Sequence, residues 1–174
     1  MIVNTPQQTF RAALGQFFVK ETSTENLAAA RSLIERSETA GADLLVLPEC
    51  IIARKVGMPE WGQKQAEPLD GPFVSGLREA TRGRRVTVVC TVQAKIANES
   101  RYANDLLVIQ NGELRLTYQK IHLYDAFRGK ESSYAAPGDV LPQVLQIGPF
   151  KVGFLTCYDV RFPEMTRALA CAGA

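Results

Sequence analysis

Histidine is almost absent from this chain of 174 residues: His122 is the only one. A single imidazole argues against zinc sites built on paired histidines. The four cysteines, Cys50, Cys90, Cys157 and Cys171, offer no Cys-x-x-Cys pair in their place, so no metal is expected. Long apolar runs are missing too. No window approaches the ~18 consecutive apolar residues of a spanning helix. The opening "MIVNTPQQTF" has neither the basic nor the apolar region of a leader, so the chain reads as cytoplasmic with no membrane partner. Charge of one sign is equally scarce. Twenty Lys and Arg against 18 Asp and Glu leave a net charge of +2, with "RGRR" at 82–85 as the only basic cluster, and nucleic acid is not expected as a partner. Repeats, low-complexity tracts and interdomain linkers are also lacking. What remains is an ordinary globular composition, 46% hydrophobic and 22% charged, suited to one domain over residues 1–174.

Along the chain, strand and helix patterns alternate. "FRAALGQFFV" (10–19) reads as a first strand. Thr22 with Glu25 three residues later matches a capping box before a helix whose Leu27, Ala30 and Ile34 share one face. Gly41 suits a left-handed cap at the end of that helix. "DLLVLPEC" follows as a buried strand that Pro48 terminates, and a second helix is expected from Pro72 to about Arg82. "RRVTVVCTVQAKI", "YANDLLVIQ" and "ELRLTYQKI" are further strands, the last two joined at Asn111-Gly112, a strong hairpin signal. Residues 122–140 lose periodicity and contain Pro137-Gly138, which marks a loop of a length often tied to function. "VLQIGPFKVGFLT" predicts another hairpin, turning at Gly148-Pro149. Helices alternating first and hairpins later predict an α/β fold with a mixed sheet and helices layered on it.

In "KVGFLTCYDVRFPE", Cys157 falls between an apolar strand (151–156) and a helix for which Pro163 supplies the first position. Glu49 stands just past "LLVLP" and Lys120 near the end of "LRLTYQK", so three polar residues lie beyond strand ends, where α/β sheets collect their chemistry. Taken singly, each is equally well read as a surface, capping or space-filling residue. Together they form a set. A thiol is only a few per cent thiolate at neutral pH and needs a base or cation to act as nucleophile. Glu49 is the candidate base. Lys120, with backbone N–H groups at the turn, can hold the negative oxygen of a tetrahedral intermediate. A Cys157–His122 dyad is the competing arrangement, and a thiol redox role for Cys157 a further one, although no resolving cysteine lies nearby in sequence.

The segments "LLVLPE", "YQKIHLYDAF", "ESSYAAPG" and "VGFLTCYDVRFPE", in this order, resemble the motifs of the nitrilase superfamily, the carbon–nitrogen hydrolases. The resemblance implies Glu49 as general base, Lys120 as catalytic lysine, Cys157 as nucleophile, Glu131 as the second glutamate, and the Tyr158 N–H in an oxyanion hole. It also implies an α-β-β-α sandwich, homodimers or larger homo-oligomers in the full-length form, and no cofactor. Cys157-Tyr158-Asp159 is similar to the branch of ω-amidases and deaminated glutathione amidases, which implies a small carboxylated amide as substrate. Arg161 and Phe127 are candidate substrate contacts, and Asp125 and Arg128 share the loop with Phe127. Such proteins continue past the helix after the nucleophile, whereas this chain stops at "ALACAGA". The resemblance thus implies that the C-terminal part of the sandwich is missing, and keeps open a catalytically silent homologue that acts only in binding or assembly.

Overall fold

The computed structural model describes residues 9–127 and 129–174; residues 1–8 and Arg128, one of the loop candidates, lie outside the described residues. Its main sheet has the order β1 (Ala12–Leu14), β2 (Leu44–Val46), β3 (Thr87–Lys95), β4 (Tyr102–Gln110) and β5 (Glu113–Gln119). The first three strands run parallel and the last two pair antiparallel, giving the expected mixed sheet. Parallel neighbours require crossovers, and these carry α1 (Ser23–Thr39), a short α2 (Trp61–Gln65) and α3 (Pro72–Thr81). Both α1 and α3 bury one face. Ala30, Ile34, Phe73, Val74 and Leu77 pack against Val88, Cys90, Val92, Leu107 and Ile109 of the sheet. The two helices meet closely at Gly76, where a Cβ would stand 2.5 Å from Leu27, so a larger residue would push α1 and α3 apart.

The other face of the sheet is covered by a two-stranded hairpin, β7 (Leu145–Ile147) and β8 (Phe150–Val152), together with Phe154 after it and Met165 from α4 (Pro163–Cys171). Both hairpins turn where expected. Asn111 (φ 48°) and Gly112 (φ 79°) supply two positive-φ residues for a primed turn, and Gly148 has φ 54°. The end of α1 also follows its sequence. Gly41 (φ 67°) donates its N–H to Glu38 O and Ala42 donates to Ser37 O, the paired bonds of a Schellman cap.

Four readings change. The first strand is confined to Ala12–Leu14, because β1 is an edge whose last bond runs from the Gly15 N–H to Val46 O. Thr22 caps α1 without a side-chain bond to the backbone; its hydroxyl donates to Glu25 (2.6 Å), which Lys20 also holds, so the two halves of the expected box satisfy each other. The strand before Cys157 stops at Val152, where its hairpin partner ends. Trp61–Gln65 forms a helix that no periodic signal marked.

The feature that positions the site is a break beside β4. β5 accompanies β4 from Gln110 back to Asp105, then leaves; after a 3-10 turn at Glu131–Ser133, β6 (Ala135–Ala136) returns to pair with Tyr102 and Ala103. Lys120 donates its N–H to Asn104 O and its carbonyl accepts from the Gly138 N–H, which closes the excursion. A Cβ on Gly138 would clash with the Gln119 carbonyl, so Pro137-Gly138 is a close-approach site.

Candidate active site

Each polar residue reaches the site from a different element. Glu49 follows β2 on a turn braced by β3: the Cys50 N–H donates to Thr91 Oγ1 (2.7 Å) and the Ile51 N–H to Thr91 O (3.0 Å). Buried Gln93 extends the brace, accepting from the Ile52 N–H (3.1 Å) and donating to the carbonyls of Cys50 (3.1 Å) and Ala53 (2.8 Å). Lys120 comes from the end of β5 and Glu131 from the returning loop. Asn104 stands between them on β4.

Lys120 Nζ lies 3.0 Å from Glu49 Oε1 and 3.0 Å from Glu131 Oε2, with 2% of its side chain exposed. Asn104 Nδ2 donates to the same two carboxylates, at 2.8 Å to Glu49 and 3.4 Å to Glu131. The Tyr124 N–H donates to Glu131 Oε2 (2.7 Å). Burial alone would lower the lysine's proton affinity, yet the Glu49 and Glu131 carboxylates together outweigh it and hold the ammonium above its ordinary range. A lysine held in this state is a fixed cation rather than a base.

Cys157 opens a 3-10 turn (Cys157–Arg161) with φ 47°, a left-handed conformation uncommon for a residue with a side chain. Fully buried Asp159 holds that turn. Its carboxylate accepts from the Tyr118 hydroxyl (2.8 Å) and from the backbone N–H groups of His122 (3.0 Å) and Thr156 (3.3 Å), and it faces His122 Nδ1 at 2.9 Å. His122 also stacks on Phe162, with ring centroids 3.5 Å apart. It is thus engaged with Asp159 and does not line the cavity, so the Cys157–His122 dyad is not formed. Burial and the neighbouring Glu49 carboxylate push the Cys157 thiol above its usual value, with Lys120 opposing them.

Glu49, Lys120, Glu131 and Cys157 converge on one cavity of about 480 Å³, walled by Tyr102, Tyr124, Tyr134 and the segment from Ala53 to Pro59. Other candidates are elsewhere. Phe127 is fully exposed, Arg161 is exposed without an ion pair among the described residues, and neither lines the cavity. Asp125 caps the loop by accepting from Ser132 N–H and Oγ. The Tyr158 ring packs edge-on against Tyr124 and Phe162, which leaves its backbone N–H, one residue past Cys157, as the group of interest. Asn104 and Gln93 escaped attention in the sequence, and Asp159 stood out there only as part of Cys157-Tyr158-Asp159, not as the anchor of the turn. The signal for the first two was a polar residue inside a buried strand, in "YANDLLVIQ" and "TVVCTVQAK".

Residues 11–174 match the carbon-nitrogen hydrolase family. The chain belongs to this family. It is 35% identical over 162 residues to the deaminated glutathione amidase of Escherichia coli O157:H7, a match covering 93% of this chain and 62% of that protein. An (R)-stereoselective amidase of Pseudomonas sp is 37% identical over 146 residues, 83% of this chain and 50% of its own. Among solved structures, a variant of the amidase from Nesterenkonia sp. AN1 superposes with a TM-score of 0.82 at 30% identity, over 95% of this chain and 64% of that one. In that structure acrylamide has added to the active-site cysteine. The mixed α/β architecture is that of these nitrilase-fold amidases. The chain spans less than two thirds of the length of the relatives it matches. No helix among the described residues is long and apolar enough to cross a membrane.

Proposed function

We propose that this chain carries the catalytic centre of an amidase that cleaves a carbon–nitrogen bond through a Cys157 acyl-thioester. The observation that supports the reading is the meeting of Glu49, Lys120, Glu131 and Cys157 on one cavity, with the lysine fixed between the two carboxylates. Glu49 takes the thiol proton as sulfur attacks the amide carbon. The carbonyl electron pair moves to oxygen, where Lys120 Nζ and the Tyr158 N–H stabilise the charge. Collapse breaks the C–N bond, and Glu49 returns the proton to the leaving nitrogen. Glu49 then deprotonates a water that attacks the thioester, releasing the acid and restoring the thiol. Glu131 and Asn104 keep Lys120 and Glu49 in register throughout.

The branch suggested by Cys157-Tyr158-Asp159, and the named E. coli relative, support deaminated glutathione or another small carboxylated amide as the substrate. The test is turnover of such amides, followed as released amine. Glu49→Gln should lower kcat by about 10²–10⁴, the range for losing a general base, and Lys120→Ala by about 10²–10³ or more, the range for losing one oxyanion-stabilising group. Normal turnover in either variant overturns the mechanism.

A further inference from the structure

Charge is unevenly spread over the cavity. Its inner end holds Glu49 and Glu131 around Lys120, so any carboxylate on a substrate would be repelled there; its wall from Ala53 to Pro59 carries two cations, Arg54 and Lys55. These two are not equivalent. Lys55 is already engaged: its ammonium contacts Glu21 at 2.7 Å and lies 5.1 Å from the Trp61 ring. Arg54 is exposed and has no carboxylate partner among the described residues. The acids that share a neighbouring surface hollow with it are taken, Glu21 by Lys55 and Glu25 by Lys20 (2.8 Å).

The backbone that carries Arg54 is held in place. Its N–H donates to Lys20 O (2.8 Å), while Gln93 ties the carbonyls of Cys50 and Ala53 and Asn26 Nδ2 donates to Ile52 O (2.9 Å). The guanidinium thus projects from a fixed strut that also fixes Glu49. Burial and the Glu131 carboxylate push up the Tyr134 hydroxyl, another wall residue of the cavity, and the Arg54 charge opposes them.

We infer that Arg54 is the specificity-determining anchor of this cavity, binding the carboxylate of an amide whose carbonyl lies at Cys157. A planar, permanently charged fork suits a carboxylate. The acidic inner end and the basic wall together orient such a substrate, carbonyl inward and carboxylate outward. The inference rests on the amidase reading for which end reacts, but the anchor itself is a binding claim and can be measured alone.

The experiment titrates the chain by calorimetry with 5-oxohexanoate, which pairs one carboxylate with a neutral unreactive ketone, and with the uncharged 2-hexanone, in wild type, Arg54→Gln and Arg54→Glu. Because Arg54 is exposed and forms no ion pair among the described residues, its variants should keep the wild-type melting curve. Wild type should prefer 5-oxohexanoate; Arg54→Gln should lower that preference about tenfold and Arg54→Glu should reverse it. Partial recovery in Arg54→Lys would mark charge, and the remainder the fork geometry. Equal binding of the two compounds by wild type, or an unchanged preference in Arg54→Gln, overturns the assignment. A parallel assay of glutaramate and glutaramide turnover separates the two claims. A preference for 5-oxohexanoate that depends on Arg54, without hydrolysis of either amide, counts against the amidase reading alone. Hydrolysis with a preference indifferent to Arg54 counts against the anchor alone.

Discussion

Replacing Lys120 by methionine keeps the apolar stem and removes a cation that touches two carboxylates. Glu131 is 10% exposed and Glu49 34%, and in the variant both would face the single amide of Asn104 with no positive partner. Breaking a buried ion pair by removing one partner costs about 3–5 kcal/mol, because the remaining charge stays desolvated. Each kcal/mol shifts the midpoint of a chain of this size by roughly 2–4 °C, so Lys120→Met should melt roughly 6–20 °C lower at pH 7.5. The sign of the pH effect follows. Acid neutralises the stranded charge and base preserves it, so the deficit grows as pH rises. It should therefore shrink at pH 4. The double variant Lys120→Met/Glu131→Gln removes one stranded charge and should recover a large part of the loss at pH 7.5. Thermal melts by circular dichroism at both pH values provide the assay. An unchanged midpoint in the single variant, or a double variant less stable than the single, would refute the account of how this cluster is held.

Further outcomes follow from buried groups. Burial on β4 raises Asp105 to about 6, so its contribution is favourable below the unfolded pKa and lost as pH climbs through 6; Asp105→Asn should add about 3 kcal/mol at pH 8 and nothing at pH 3.5, read by urea unfolding. The Cys157 thiol, raised by burial and Glu49, should alkylate with iodoacetamide along a pH profile whose midpoint lies above ~8.5. In Glu49→Gln that midpoint should fall, and a rise would contradict the pairing. Burial holds Cys50 and Cys90 at about 12, so peptide mapping should find both unlabelled at neutral pH.

Much of this site could be read before any coordinates. Glu49, Lys120 and Cys157 each stood at or near a strand end, where an α/β sheet collects its chemistry, whereas Glu131, in the aperiodic loop, was marked only by the family resemblance. Asn111-Gly112, Gly148-Pro149, Gly41 and Pro163 are local signals whose geometry needs no tertiary partner, and all four appear where expected. What escaped was tertiary. The brace of Gln93 on residues 50–53 links positions about forty apart, and Asp159 reaches back to Tyr118 and His122. No periodicity encodes such pairings. Arg161 and Phe127 were drawn toward the site by nearness in sequence to Cys157 and the loop, but the 3-10 turn and a positive φ at Phe127 leave both outside the cavity.

The central claim, a covalent acyl-enzyme at Cys157, is best tested by acid quench of the protein with glutaramate, followed by intact-mass and peptide-resolved mass spectrometry. The account predicts one glutaryl group on the peptide containing Cys157, absent from Cys157→Ala and accumulating in any variant whose thioester hydrolysis is slowed. Hydrolysis of the amide that persists in Cys157→Ala, or a glutaryl group found on Cys50 or Cys171 instead, would contradict it.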